Sequence, residues 1–118
     1  MAALVNAARA TQIVPELAVQ ESDLVLSRLH RLSPFQATEL DFVLRNLFIR
    51  SLVCVGVSVN VAIQNRAFDA VNAGYQVVIP RDAVAGFPPS HVEAVFANTL
   101  GAVATLVTSE QILSAWAR

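Results

Sequence analysis

Three short apolar runs, each rich in valine, recur along this chain at nearly equal intervals and limit the folds open to it. They cover residues 52–57, 76–79 and 103–107, and residues 23–29 form a weaker run of the same kind. From residue 51 to 76 is 25 positions and from 76 to 103 is 27, close to the roughly 30 residues of a β-α-β unit. Continuous apolar runs are typical of strands covered on both faces. The spacing predicts an α/β fold with a mostly parallel sheet and flanking helices.

Helix start and stop signals lie between the apolar runs. Three pairs have the capping-box pattern, in which a hydroxyl residue and an acid or amide three positions later satisfy each other's backbone N–H groups. The pairs are Thr38 with Asp41, Ser90 with Glu93, and Thr108 with Gln111. Asn60 is expected to cap a further helix that ends at Gly74, because glycine accepts the left-handed conformation past a helix end. Residues 1–10 are expected to form a helical piece.

Composition and charge exclude several classes of protein. Hydrophobic residues make up 55% of the 118 positions and charged residues only 14%, which excludes intrinsic disorder. The net charge is −1 and lysine is absent, so the basic excess that nucleic-acid binding needs is missing. The longest uncharged stretches, residues 51–65 and 94–109, carry polar side chains and fall short of the roughly 18 apolar residues of a membrane span. We expect one domain over residues 1–118, with no nucleic-acid or membrane partner.

The chain has a single cysteine, Cys54, so no disulfide can form within it and no cysteine metal cluster is possible. Cys54 lies inside the first apolar run, where we expect a buried and unreactive thiol rather than a nucleophile. The two histidines, His30 and His91, are far apart in sequence and predict no metal site. We therefore expect a cytoplasmic protein with no metal ion and no cofactor.

The junction between the first apolar run and the next helix is the best candidate for a binding site. In parallel sheets, ligands bind beyond the carboxyl ends of the strands, where the free N–H groups of a helix start can hold an anion or an oxyanion. The candidate contacts with a small molecule are Gly56, Ser58, Val59, Asn60 and Ala62. Most such turns bind nothing, so a purely structural turn is the alternative. No base stands near Ser58 in sequence, which favours a hydrogen-bonding role in the turn for its hydroxyl.

Five short motifs follow one another along the chain. They are the spaced run of Ser33, Phe35, Thr38 and Leu40, and the pairs Gly56-Val57, Asp69-Ala70, Gly74-Tyr75 and Asp82-Ala83. In this order they make residues 13–113 resemble the C-terminal half of the isochorismatase-like cysteine hydrolase superfamily, which includes isochorismatases, nicotinamidases and carbamoyl-amide hydrolases. The resemblance implies a Rossmann-like sheet with flanking helices that lacks its N-terminal central strand. It also implies an oligomer, since members of the superfamily are commonly oligomeric.

The resemblance further implies that the catalytic triad of the superfamily has been lost. Its members use a cysteine nucleophile with an aspartate and a lysine, and the cysteine stands in a pattern like G-V-x-T-x-x-C-V. Aligned on Gly56 and Val57, the threonine position holds Val59 and the cysteine position holds Ala62, whose methyl group cannot attack a carbonyl carbon. The lysine position falls among residues 28–31, which read Arg-Leu-His-Arg. The strand that ends in the aspartate is missing.

We make two further predictions, one for a peptide bond in the turn after Gly56 and one for Asp82. A non-proline cis peptide helps the superfamily to aim two N–H groups as an oxyanion hole, and it corresponds here to the bond between Ser58 and Val59. Asp82 follows the second apolar run, and we expect its carboxylate to cap a helix or to form a salt bridge rather than to act in catalysis.

Two functions remain open from the sequence. The first is a catalytically impaired or inactive relative of isochorismatase-like hydrolases, a pseudoenzyme, that keeps a pocket for a small amide or carboxylate. The alternative is an active hydrolase of C–N or ether bonds that uses residues outside the superfamily pattern or residues lent by another subunit. We also expect self-association, because the absence of strands beside residues 51–57 leaves an apolar edge without proline or charge.

Overall fold

The computed structural model of this protein describes residues 12–28 and 32–118. The chain divides between residues 30 and 31, so residues 12–28 belong to a first compact unit and residues 32–118 to a second. In the first unit the described residues are exposed and include one 3-10 turn, Pro15–Leu17. The strand predicted for residues 23–29 is wrong over residues 23–28, because none of the described strands pairs with them. Residue 29 and the helical piece predicted for residues 1–10 lie outside the described residues.

The second unit is built on parallel strands. Three of them, β1 (Ser51–Val53), β3 (Gln76–Pro80) and β5 (Thr105–Val107), form one sheet with β3 in the middle. Two shorter strands, β2 (Gly56–Val57) and β4 (Val84–Ala85), form a separate parallel pair. Every strand pair in residues 32–118 is parallel, which confirms the predicted fold class.

The first predicted strand, residues 52–57, is divided because the chain changes partner along it. Its first part, β1, pairs with β3, and its last part, β2, pairs with β4. Between the two parts, the N–H of Cys54 still donates to the carbonyl of Val78 at 2.9 Å. The third predicted strand, residues 103–107, begins later than expected, because Val103 ends a helix and the strand starts at Thr105.

Helices connect the strands. In chain order they are α1 (Leu40–Asn46), a π-helical segment (Val59–Ile63) that continues as α2 (Gln64–Asn72), a 3-10 turn (Arg81–Ala83), α3 (Pro89–Val95), a second π-helical segment (Phe96–Leu100) that continues as α4 (Gly101–Val103), and α5 (Ser109–Trp116). Gly74 follows the end of α2 with a φ of +95°, the left-handed conformation predicted for it. No helix within residues 12–28 and 32–118 is long and apolar enough to cross a bilayer.

The hydrophobic core lies between the sheet and the two long helical runs. Helix α2 packs on β3, and α3 packs against the π-helical segment that precedes α2. Val59, Ile63, Ile79 and Leu100 are completely buried there. Burying a branched side chain of this size contributes about 1.5–3 kcal/mol, so this cluster fixes the position of α2 and of the turn that leads into it.

The capping box predicted at the start of α5 is confirmed. The hydroxyl of Thr108 accepts a hydrogen bond from the N–H of Gln111 at 3.2 Å, and the side chain of Gln111 accepts one from the N–H of Thr108 at 2.8 Å. Both groups belong to one short segment of chain, so local sequence alone specifies the interaction.

The other two predicted capping boxes are wrong. The Thr38 hydroxyl donates to the carbonyl of Pro34 and accepts from the N–H of Leu40, so it closes a loop before α1 instead of capping the helix. Helix α3 begins at Pro89, and Ser90 makes no cap. Proline is favoured at a first helical position. Glu93 binds Arg81 at 2.6 Å instead of reaching back to the helix start.

We expect Thr108→Ala to lower the free energy of unfolding by about 1 kcal/mol, because it removes one half of a complete capping box. Ser90→Ala is the matched control and should leave stability close to that of the wild type, since Ser90 caps nothing. Urea unfolding followed by circular dichroism measures both. Equal losses for the two variants would contradict the assignment of the caps.

Candidate functional site

The chain turns sharply where β2 meets the helical run that starts at residue 59, and we call residues 56–62 the 56–62 turn. Gly56 has a φ of +111°, which glycine adopts without the steric penalty of a Cβ atom. The peptide bond between Val57 and Ser58 is cis. The resemblance places the cis bond one residue later, between Ser58 and Val59, and that position is wrong. The Gly-Val pair marks the end of the strand, but no side chain nearby distinguishes the two following bonds.

Ser58 starts the helical run. Its carbonyl oxygen accepts hydrogen bonds from the N–H of Ile63 at 3.0 Å and from that of Val61 at 3.4 Å. The bond to Ile63 spans five residues, and π-type turns of this kind are frequent at functional sites. The half-buried Ser58 hydroxyl caps no N–H of the helix. Within residues 12–28 and 32–118 no other group forms a hydrogen bond with this hydroxyl, which leaves it available to a ligand or to water.

Two apolar side chains stand where the superfamily pattern has threonine and cysteine. Val59 is 0% exposed and packs in the core, so its side chain lies behind the 56–62 turn. Ala62 is half-buried, and its methyl group has no nucleophilic chemistry. Of the predicted contacts, Gly56, Ser58 and Ala62 are accessible to solvent to differing extents, and the side chain of Val59 is not.

Asn60 connects the 56–62 turn to a distant loop. Its side-chain oxygen accepts a hydrogen bond from the N–H of Phe87 at 3.1 Å, and its side-chain NH₂ donates to the Phe87 carbonyl at 2.6 Å. The helix cap predicted for Asn60 is therefore wrong, because Phe87, 27 residues later, occupies both ends of the amide. The side chain holds the loop after β4 against the start of the helical run.

Gly86 makes this contact sterically possible. A Cβ atom at position 86 would overlap the side-chain oxygen of Asn60 and lie 2.9 Å from Cγ2 of Val92. The same loop exposes 79% of Phe87 and contains a cis peptide before Pro88. Sequence reasoning missed this loop; the dipeptide Phe-Pro after a glycine was the available signal.

Cys54 lies in the core, as predicted, and is 2% exposed. Burial raises the pKa of its thiol, and the nearby Arg66 guanidinium partly offsets that effect. Arg66 is itself held in place, since its Nη1 donates to the carbonyl of Val55 at 3.0 Å. A buried thiol with a raised pKa is a poor nucleophile.

Asp82 has the structural role predicted for it. Its carboxylate accepts hydrogen bonds from the main-chain N–H of Ser109 at 2.8 Å and from the Ser109 hydroxyl at 3.0 Å. These bonds, the main-chain one foremost, keep the pKa of Asp82 below its usual range. His91 is exposed on α3, and His30 lies outside the described residues. Within residues 12–28 and 32–118, no three metal-ligating side chains come together.

A second polar cluster, which the sequence did not predict, joins α1 to the chain after α2. The hydroxyl of the buried Tyr75 donates to Oδ1 of Asp41 at 2.7 Å, and Nε of Arg45 donates to Oδ2 at 3.1 Å. The hydrogen bond from Tyr75, followed by that from Arg45, lowers the pKa of Asp41. Arg45 also donates to the Ala73 carbonyl at 2.8 Å. All these partners belong to the chain itself, so the cluster fastens α1 to the rest of the unit.

Known proteins of one family match this chain. Residues 1–111 match the isochorismatase domain family. YwoC of Bacillus subtilis, an uncharacterised isochorismatase family protein, is 28% identical over 102 residues, which cover 86% of this chain and 53% of YwoC. The ureidoacrylate amidohydrolase RutB of Klebsiella pneumoniae is 39% identical over 72 residues, which cover 61% of this chain and 30% of RutB.

The fold has the same relatives. The crystal structure of an isochorismatase-like hydrolase from Alkaliphilus metalliredigens superposes with a TM-score of 0.86 at 29% identity, covering 93% of this chain and 60% of that one. The chain therefore spans between 30% and 60% of the length of these relatives. The predicted resemblance and the predicted Rossmann-like α/β architecture are confirmed.

We expect Asn60→Ala to lower the free energy of unfolding by about 1–3 kcal/mol, because it removes two hydrogen bonds that hold the loop after β4. The matched control is Asn98→Ala, an exposed asparagine on the second π-helical segment, which should change stability little. Thermal and urea unfolding measure both. A loss for Asn98→Ala as large as that for Asn60→Ala would contradict the role of this contact.

Acid should destabilise the second unit. The pKa values of Asp41 and Asp82 lie below the ordinary value of 3.8 in the folded protein. Their contribution to stability is thus complete above the unfolded pKa and is lost as the pH falls through the folded values. Urea unfolding between about pH 7 and pH 3 measures this decline.

Asp82→Asn should flatten the acid decline, because it removes one of the two carboxylates responsible. Glu21→Gln, which changes an exposed carboxyl of the first unit, is the control and should leave the decline unchanged. An identical pH profile for Asp82→Asn and the wild type would refute the assignment.

Proposed function

This chain belongs to the isochorismatase family, and from that premise we propose that it binds a small amide or carboxylate at the 56–62 turn without attacking it through a cysteine. The observation that carries the proposal is Ala62, a methyl group on the helical segment at the position where the superfamily pattern has its nucleophile. Binding needs the shape of the turn and its hydrogen-bond donors. Covalent catalysis of the superfamily type also needs a cysteine thiolate as the nucleophile.

The cysteine that the chain does contain supports this view. Cys54 is nearly inaccessible, lies before the turn instead of on the helix, and has a thiol whose pKa burial raises. A substrate carbonyl at the 56–62 turn would have to enter the core to meet it. Cys54 therefore has the environment of a packing residue rather than of a reactive one.

Ser58 is the remaining hydroxyl on the turn, and it lacks an activating partner among residues 12–28 and 32–118. No hydrogen bond there connects its Oγ to a histidine, aspartate or glutamate. A serine hydroxyl at neutral pH is a weak nucleophile without an adjacent base. Its free Oγ suits a second role, that of a hydrogen-bond donor to a ligand oxygen.

The chemistry of the ligand is inferred from the turn and from the relatives. The helical run 59–72 begins at the turn, and the N-terminal end of a helix favours negative charge. RutB is named as an amidohydrolase of ureidoacrylate. Ureidoacrylate carries an amide-like ureido group and a carboxylate. A small acid of this type, with its oxygens near Gly56 and Ser58, fits both considerations. The cytoplasmic location stays a prediction that rests on the single unpaired cysteine.

The test combines turnover with binding. We expect the wild-type protein to release no ammonia from ureidoacrylate, nicotinamide or a carbamoyl amino acid, while saturation-transfer NMR detects weak contact with members of the same panel. Ala62→Phe should abolish the contact by filling the turn. Ala94→Phe, which enlarges an exposed alanine on α3, should not.

The alternative, an active hydrolase with unrecognised or shared residues, predicts different results. In that case the wild type would turn over one of these compounds, the activity would survive alkylation of thiols, and Ser58→Ala would test whether the hydroxyl takes part. Reproducible turnover would therefore replace the binding proposal. Absence of any contact with the panel, or contact unaffected by Ala62→Phe, would also overturn it.

A further inference from the structure

Arg66, in the first turn of α2, is a half-buried cation beside the 56–62 turn. Among the arginines of residues 12–28 and 32–118, it is the only one that is not exposed. Taking a charge out of water is unfavourable unless a counter-charge or several hydrogen bonds compensate for it. The groups around this guanidinium therefore indicate what it can bind.

The side chain of Arg66 reaches back towards the turn. Arg66 follows Ala62 by four residues in the same helical run, and residues at this spacing are neighbours on one face of a helix. Long side chains on a helix lean towards its N-terminus, and Nη1 of Arg66 accordingly donates to the carbonyl of Val55 at 3.0 Å. Val55 directly precedes Gly56, the first residue of the turn. The guanidinium thus lies beside the chain that enters the turn.

Within the described part of the chain, no carboxylate pairs with the Arg66 guanidinium. The two salt bridges found there belong to other arginines, Arg45 and Arg81. The residues outside that part contain no aspartate and no glutamate. An acid that neutralises Arg66 therefore has to come from outside these 118 residues.

Much of the hydrogen-bonding capacity of Arg66 is unused. A guanidinium has five N–H donors, and across the described residues the carbonyl of Val55 is the one oxygen that accepts from it. The N–H at Nε is inaccessible to solvent and has no partner among residues 12–28 and 32–118. Unsatisfied buried donors are rare in native proteins, because each one costs free energy. The contact with Val55 holds the group in place and leaves donors for an acceptor on another molecule.

The sequence around Arg66 carries no negative charge that would offset it. Arg66 is the only charged residue in the stretch from residue 51 to residue 68. Residues 83–92, which include the loop that Asn60 holds against the turn, contain no acidic residue. The start of the helical run at residue 59 adds a partial positive charge. Both contributions favour an anion over a neutral molecule of the same shape.

We propose that Arg66 pairs with the carboxylate of a small acid bound at the 56–62 turn and thereby selects acids over neutral amides of the same shape. The inference rests on the proposed function, since it needs a ligand at this turn. In the complex the guanidinium supplies the counter-charge, and the Ser58 hydroxyl donates to a ligand oxygen. A charge-assisted hydrogen bond is roughly twice as strong as one between neutral groups, so the discrimination comes mainly from Arg66.

Two ligands that differ by one charge test the proposal. N-carbamoylglycine carries a carboxylate at neutral pH, and N-carbamoylglycinamide has an amide in its place. Calorimetric or NMR titration of the whole chain should show that the wild type binds the acid about tenfold or more tightly than the amide. Arg66→Gln should lower the affinity for the acid to about that for the amide, and should leave the affinity for the amide unchanged, because it removes the charge and keeps a polar side chain.

Arg50→Gln is the matched control. It removes the same charge from an exposed arginine directly before β1, at the end of that strand away from the turn. It should leave the preference for the acid intact. Arg66→Lys, which keeps a positive charge at position 66, should retain part of the preference that Arg66→Gln loses.

The wild type provides a readout that does not depend on the folding of a variant. Because Nε of Arg66 is shielded from solvent, its proton should exchange slowly enough to give an NMR signal. That signal should shift on addition of the acid and stay in place on addition of the amide. Added salt should weaken binding of the acid and leave binding of the amide unchanged, since ions screen charge pairs.

The possible outcomes separate this inference from the proposed function. Equal affinities for the two ligands in the wild type, or tighter binding of the amide, would overturn the role of Arg66 and leave binding at the turn standing. A preference for the acid that survives Arg66→Gln, or that Arg50→Gln lowers as much, would have the same meaning. If neither ligand binds, the proposed function fails, and the role of Arg66 fails with it.

Discussion

Main-chain hydrogen bonding on both sides of β3 is the interaction on which the second unit depends. β1 pairs with one edge of this strand and β5 with the other, so each outer strand owes its place in the sheet to β3. Val77 and Ile79 are buried on it, and α2 packs against it. The loop that follows β3 carries Asp82, which holds the start of α5. The middle strand therefore holds both outer strands and α2 in place and, through Asp82, the start of α5.

The 56–62 turn combines a defined backbone shape with apolar side chains at two of its positions. The left-handed glycine and the π-type bond from Ile63 to Ser58 give it a defined shape. At the two positions that carry polar chemistry in the superfamily pattern, Val59 adds to the core and Ala62 presents a methyl group. The backbone determines the shape of this turn, whereas its side chains determine which reactions it could support, so one can differ without the other.

Sequence reasoning succeeded where the determining interactions are local or repeated. The apolar runs located β1, β2, β3 and β5, although the cover on both faces that such runs imply is found mainly on β3, since β1 and β2 are largely exposed. The cap of Thr108 was recoverable because its partner lies three residues away. Asn60 was misread because its partner, Phe87, is 27 residues distant. The cluster of Asp41 with Tyr75 escaped notice for the same reason, since its members lie 34 residues apart.

Asn60 and Gly86 have a consequence for how this sequence can vary. The amide at position 60 reaches the Phe87 backbone only because position 86 has no Cβ to meet it. Any larger residue at 86 removes the room for asparagine at 60, and its Cβ would also lie 2.9 Å from Cγ2 of Val92 whatever residue stands at 60. Position 86 is therefore expected to stay glycine among homologues even where position 60 varies. A mutational library that randomises position 86 alone would sample mostly destabilised variants.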